Sequence, residues 1–413
     1  MIKRFCLYGF LKSQQYYDPF LILAFREKGL AFATIGLLIG FREICTNVLE
    51  IPTGAVADVA GRRRSMIFSM LGYIVAFAVF GLSSELWTLF AAMLFFAVGE
   101  AFRPGTHKAM IIDWLTRQGR ADEKTRVYGY TRSWSKLGSA LSVIIAAVLV
   151  FTMRRYSYVF LFSIGPYLAN IVNFLTYPRY LDGPRREALH IRGVFRILWE
   201  ALHDGVRNCP LRRLFGESMG FEGGYKVTQI YLQPVLKAAA LSLPVLLALA
   251  DRQRTAVIVA VVYFVLYIAS SFASRHSHLF VERAGSEAGG ARKLWGMNLA
   301  AFAVITAGLA LDWMWLAIGG FVALSIIQNF WRPLQVSRFT GAAASERTAT
   351  VLSIESQGKA LFAAVAAPLL GWMVDLMPTD VRFLPVGVLG CVIAAAALLA
   401  GRRRLPAAAT PEG

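Results

Sequence analysis

Gly54-Ala55-Val56-Ala57-Asp58-Val59-Ala60-Gly61-Arg62-Arg63-Arg64 is a short, charged, glycine-bearing stretch set between two long apolar runs. The runs, 31–57 leading into it and 66–84 leaving it, are each long enough to cross a bilayer, which takes roughly 20 apolar residues. The stretch therefore reads as a tight hinge between two membrane helices. Gly54 and Gly61 permit a close helix approach and a sharp turn, and the arginines mark the cytoplasmic side.

Composition agrees with this reading. Of the 413 residues 57% are hydrophobic and only 16% charged, and the mean hydropathy is +0.54. Soluble domains carry roughly 25% charged residues, so this chain needs lipid to face. The formal charge of +18 could suggest nucleic acid, but the basic residues fall in short clusters between apolar runs, as topology signals do. Nucleic acid is excluded as a partner on that ground. Cys6, Cys45, Cys209 and Cys391 are far apart and show no metal or disulfide spacing, so no metal site, cofactor or disulfide framework is expected. The first apolar run is interrupted by Lys12, Gln14, Gln15 and Asp18 and is read as a retained span, not a cleaved signal.

Spans are expected near 4–26, 31–57, 66–84, 86–115, 127–152 and 156–178, then near 211–238, 254–277, 293–311, 313–338, 347–376 and 380–401. That makes twelve, six on each side of an arginine-rich interval. Basic clusters alternate with poorer loops, which places both termini in the cytoplasm; Arg154 and Arg155 are the main exceptions. In the interval, Val194, Phe195, Ile197, Leu198 and Leu202 recur at helical spacing among Arg192, Arg196 and Arg207. A surface amphipathic helix is expected there, with a plain tether as the alternative. The domains are thus an N-terminal six-helix bundle (1–178), a linker (179–210) and a C-terminal six-helix bundle (211–413).

The halves repeat one another. Ala101-Phe102-Arg103-Pro104 in the fourth span matches Phe330-Trp331-Arg332-Pro333 in the tenth. Ser133, Gly138, Ala140 and Leu141 recur 220 residues later as Ser353, Gly358, Ala360 and Leu361, and Asp18-Pro19 has a counterpart in Gln233-Pro234. Together with the twelve spans, the basic central interval and the motif from Gly54 to Arg64, this resembles the major facilitator superfamily (MFS) of secondary transporters over essentially the whole chain. The resemblance implies an all-α integral membrane protein with twelve transmembrane helices in two pseudo-symmetric six-helix bundles. It further implies a conformational latch, in which Asp58 accepts from the N-terminus of the eleventh span and Arg62 pairs with an acid at the end of the fourth, Asp113 being the candidate. Topology and lipid-headgroup binding are the competing reading of the arginines, preferred for Arg63 and Arg64.

Ionisable residues inside spans are costly and need partners or a wet cavity. Glu100, Arg103 and His107 are spaced to share one face of the fourth span, and Glu222, Lys226, Gln229 and Gln233 one face of the seventh. Lys12, Gln15 and Tyr16 share a face of the first; Arg132 with Lys136 and Glu355 with Lys359 are spaced by one turn. In the family such helices line the central cavity. Arg103 and Arg332, equivalent in the repeat, either form a paired site for carboxylate or phosphate or are each held by an internal acid such as Glu100 or Glu222. Candidate solute-binding residues are Arg103, Arg332, Glu100, His107, Lys226, Gln229, Tyr16, Glu355 and Lys359; Glu222 and Asp18 are the candidates for proton coupling. Glu43, Asn47 and Glu50 on the second span are assigned to interhelical pairing and gating.

The expected function is proton-coupled, alternating-access transport of a small polar, plausibly anionic solute across the inner (cytoplasmic) membrane by a monomer. Proton-driven export of drugs is the alternative. It is disfavoured because the fifth span, Arg132-Ser133-Trp134-Ser135-Lys136-Leu137-Gly138, lacks the glycine-proline motif usual in drug exporters of the family. A solute sensor and a lipid-headgroup translocator are the readings from other classes. No nucleophile motif or nucleotide loop points to an enzyme.

Overall fold

The computed structural model describes residues 1–103, 105–153, 155–183, 209–242, 247–342 and 348–402. Its regular structure is helical throughout, because backbone groups in lipid must find partners within their own segment. The helices are α1 (Ile2–Lys12), α2 (Leu21–Glu27), α3 (Phe32–Ala60), α4 (Arg62–Leu82), α5 (Leu86–Ala101), α6 (Thr106–Arg117), α7 (Lys124–Thr152) and α8 (Tyr158–Leu175) in the first half. In the second they are α9 (Cys209–Ser218), α10 (Gly224–Gln229), α11 (Leu232–Ser242), α12 (Asp251–Arg275), α13 (Ser277–Ala284), α14 (Glu287–Ala310), α15 (Met314–Ala342), α16 (Thr348–Leu376) and α17 (Leu384–Arg402). Among the described residues nine helical segments are long and apolar enough to cross a membrane. The shorter α17 and the two interrupted spans, α1 with α2 and α9 to α11, match the other three of the expected twelve. Large apolar side chains such as Val172, Val261 and Val365 remain exposed on the outer faces, as lipid contact requires.

Three spans expected as single helices are broken. The first unwinds after Lys12 and restarts as a 3₁₀ turn at Asp18–Phe20, where Pro19 cannot donate. Gln233, on the seventh span, closes this gap from the other half: its Oε1 accepts from Ile22 N (2.8 Å) and its Nε2 donates to the Asp18 carbonyl (2.8 Å). The fourth stops at Ala101 and restarts at Thr106, with Gly105 at φ +76°. The seventh carries a π turn over Met219–Gly223 before α10 begins. Such bulges aim side chains off the regular helical stripe. The amphipathic helix expected within 193–202 lies outside the described residues. The segment Ser277–Ala284 folds as α13, directly after α12.

The packing carries the repeat. The fifth span lies on the first and the eleventh on the seventh; at both contacts the repeated glycine is close to its neighbour, Gly138 against the Phe10 backbone and Gly358 against the Met219 side chain. The third span pairs with the fourth and sixth, the ninth with the tenth and twelfth. Between the halves, α3 packs on α16 and α7 on α12. Asp375 at the end of α16 accepts from the first amides of α3, Phe32 N (3.1 Å) and Ala33 N (2.7 Å). Arg252 and Gln253 at the start of α12 reach the carbonyls of Met153 (3.5 Å) and Phe151 (3.3 Å) at the end of α7. These contacts gather at the end opposite Gly61. At the Gly61 end, Arg63 N donates to Asp182 Oδ1 (3.0 Å) and its guanidinium to the Tyr177 carbonyl (3.2 Å).

Candidate functional site

A cavity of about 710 Å³ lies between the halves, walled by the first, second and fourth spans on one side and the seventh, tenth and eleventh on the other. Five carboxylates, Asp18, Glu43, Glu50, Glu100 and Glu222, and three cations, Arg42, Lys226 and Lys359, line it. On the C-terminal wall the charges interlock. Arg332 Nη1 lies 3.1 Å from Glu222 and 2.6 Å from Glu355, and Lys359 Nζ lies 2.8 Å from Glu222 and 2.9 Å from Glu355. Ser218 donates to Glu355 (2.5 Å). The π turn presents Glu222 to this group, while next to it Phe221 stacks on Trp331 at 4.0 Å. Lys226 crosses to the other half and meets Glu43 at 2.6 Å, where Arg42 also binds (2.7 Å). Asp18 accepts from Tyr267 Oη (3.1 Å) and forms no ion pair among the described residues.

A second cavity, of about 590 Å³, opens inside the N-terminal half between α1, α6 and α7. Lys12, Arg103, Lys108, Arg132 and Lys136 line it together with His107. Arg103 and Glu100 pair at 3.0 Å between the two cavities, and Tyr73 donates to Glu100. Among the described residues no group of three or more His, Cys, Asp or Glu side chains could hold a metal ion.

The sequence pattern of the Major Facilitator Superfamily matches residues 10–356. The chain belongs to this superfamily. Membership places it among transporters rather than enzymes. Relatives include the multidrug resistance protein MdtH of Edwardsiella ictaluri, 28% identical over 133 residues, which is 32% of each chain. MdtH of Photorhabdus laumondii is 26% identical over 201 residues, 48% of this chain and 45% of that one. The match thus spans less than half the length of these relatives. Among solved structures, the nucleoside transporter NupG superposes with a TM-score of 0.78 at 11% identity, covering 98% of both chains. A POT family transporter in complex with 5-aminolevulinic acid gives 0.71 at 16%, covering 96% of this chain and 95% of that one. At such identities the likeness is one of fold.

Against this MFS frame, Glu100, Lys226 and Lys359 reach the cavity between the halves, as does Glu222, while Arg103 and His107 face the other one. Glu100, Arg103 and His107 do not share one helical face, because the helix breaks between Ala101 and Thr106. Arg103 and Arg332 do not look into a common cavity: each is held by acids of its own half. His107 Nε2 and Gln229 Oε1 are buried without hydrogen-bond partners among the described residues; the His107 ring lies 4.0 Å from that of Tyr8. Tyr16 is buried away from both linings, and Glu355 is buried behind Arg332 and Lys359.

The latch is only partly visible. The surroundings of Gly54, the side chain of Asp58 and the start of the eleventh span at Ser345 lie outside what the structure describes. Gly61 adopts φ +96°, which favours glycine at the α3–α4 turn. Asp113 is bound not by Arg62 but by Arg117 (3.3 Å), one turn along its own helix. The Arg62 guanidinium lies beside Gly183, and Arg63, read as a topology signal alone, is the arginine that ties the turn to the end of α8. Sequence spacing did not single out Lys108, Arg42 or Tyr73 for the sites. Their roles depend on contacts between spans, such as Tyr73 with Glu100, 27 residues apart.

Proposed function

We propose that this protein is a secondary active transporter, coupled to protons, that moves a small polar solute by rocking its halves about the cavity between them. The carrying observation is that cavity: eight acidic and basic side chains inside an apolar bundle, at the interface of two repeats, on the spans through which the family moves solutes. By the distribution of basic residues the Gly61 end is cytoplasmic, with both termini there, in the inner membrane and as a monomer. In this conformation the halves are then joined at the outer end.

Of the two candidates for coupling, Asp18 has a hydroxyl for a partner, whereas Glu222 shares two cations with Glu355. A carboxylate without a cation can exchange its proton without breaking an ion-pair network. Asp18→Asn in proteoliposomes is expected to abolish accumulation driven by a pH gradient while leaving solute exchange intact. Glu222→Gln is expected to impair both. Accumulation at the wild-type level in both variants would remove these acids from coupling.

Drug export is the second reading, favoured by the excess of carboxylates over cations in this cavity and by the names of the MdtH relatives. Uptake of a lipophilic organic cation into inverted vesicles, lost in Glu50→Gln, is the outcome that would establish it in place of the first.

A further inference from the structure

The cavity between α1, α6 and α7 is not explained by transport through the space between the halves. Five cations line it and no carboxylate does among the described residues. Arg103 shares its charge with Glu100 at 3.0 Å, but among the described residues Lys12, Lys108, Arg132 and Lys136 form no ion pair. Lys12 and Lys108 instead lie over aromatic rings, at 5.9 Å from the Tyr8 centroid and 5.6 Å from that of Tyr128. Charges of one sign gathered in a concave, partly apolar space repel one another and focus a positive field on its contents. An anion of two or more charges relieves that repulsion better than a monoanion can. The volume, about 590 Å³, is that of a small-molecule site and more than a bare inorganic anion fills. Phe5, Tyr8 and Tyr128 supply an apolar wall for an organic body.

We propose that this cavity binds a small organic dianion, bearing a phosphate monoester or two carboxylates, and is where the transported solute is recognised. The proposal rests on the transport reading for its second half only. Lys12, Arg132 and Lys136 hold the anionic group, and Arg103 stands between this site and the cavity shared by the halves. The same chemistry could come from the phosphate of an anionic lipid, so the two sources must be separated.

The test uses the full-length protein in nanodiscs of phosphatidylcholine alone, titrated with phenyl phosphate, with benzyl alcohol as the uncharged counterpart. Binding of phenyl phosphate but not benzyl alcohol is expected, weakened at least tenfold in Lys136→Gln and in Lys12→Gln, each with an unchanged unliganded melting temperature. Equal affinity in wild type and both variants overturns the site. Adding phosphatidylglycerol to the nanodiscs is expected to leave the affinity within twofold. Loss of binding on that addition, with recovery in pure phosphatidylcholine, would assign the cavity to a lipid headgroup and overturn the solute assignment. Counterflow of phenyl phosphate in proteoliposomes is the separate measure of transport. Binding that is sensitive to Lys136 without counterflow leaves the dianion site standing and overturns its role in solute recognition.

Discussion

Glu355 is enclosed from solvent, yet its Oε1 sits against Arg332, Lys359 and the Ser218 hydroxyl, while its Oε2 is buried without a hydrogen-bond partner among the described residues. A buried carboxylate losing a partner is strongly destabilising, because the desolvated charge remains. Lys359→Met is therefore expected to lower stability by on the order of 3 kcal/mol, read as a drop in melting temperature of the detergent-solubilised protein. The double variant Lys359→Met with Glu355→Met removes one cation and one acid together and should lose less than the sum of the two single variants. Strict additivity would mean that the four groups do not act as a unit. The Glu355 and Lys359 pairing was legible in the sequence, since a spacing of four on a helix brings side chains together. Arg332 held by an internal acid such as Glu222 was one of two readings open in the sequence; its reaching Glu355 as well, and Lys226 reaching Glu43 in the other half, was not legible, because those distances depend on how the spans cross.

At the scale of elements, α3 and α16 meet almost backbone to backbone. A Cβ on Gly36 would stand 2.4 Å from the Ala367 carbonyl oxygen, and one on Gly40 2.6 Å from that of Ala364. Small residues four apart let membrane helices pack this closely, and Asp375 caps the amides of α3 at the same end. Gly40→Leu cannot fit there, so it is expected to disfavour joining of the halves at this end. A cysteine placed at Ser356 in the cavity should then be labelled several-fold faster by a membrane-impermeant maleimide from the outer side. Labelling at the wild-type rate in folded protein would mean that this contact does not close the cavity. The existence of α3 and α16 was readable from apolar length alone, but α3 runs on as helix to Ala60, so the expected hinge from Gly54 narrows to the turn at Gly61. The breaks in the first and seventh spans were not, although Pro19 marks one of them; in the fourth span Pro104, which disrupts the ladder, signals the break between Ala101 and Thr106. What decides a break is whether another span satisfies the freed backbone, as Gln233 does for Asp18 and Ile22, and that partner lies in the other half of the chain.

The repeat read from Arg103 and Arg332 and from Gly138 and Gly358 did foretell the whole molecule, because equivalent sequences pack equivalently in the two halves. It could not foretell which end would be joined, since a symmetric pair of bundles can close at either. That choice rests on two contacts related by the repeat: α16 onto the start of α3, and the start of α12 onto the end of α7. Glu27 reinforces the second, accepting from Ser157 (3.2 Å) and lying 3.6 Å from Arg252. If the halves move as rigid bodies, both contacts must part in every cycle, and holding one closed must hold the other. A short thiol cross-linker between Met153→Cys and Arg252→Cys, in a background lacking the native cysteines, is thus expected to stop solute flux. The same cross-link should prevent the Gly40→Leu variant from exposing Ser356→Cys to outside label, although it lies on the other interface. Cleaving a reducible linker should restore both flux and labelling. Flux that persists under the cross-link would show that the halves do not rock as units, and that the solute crosses by local movement of the broken spans instead.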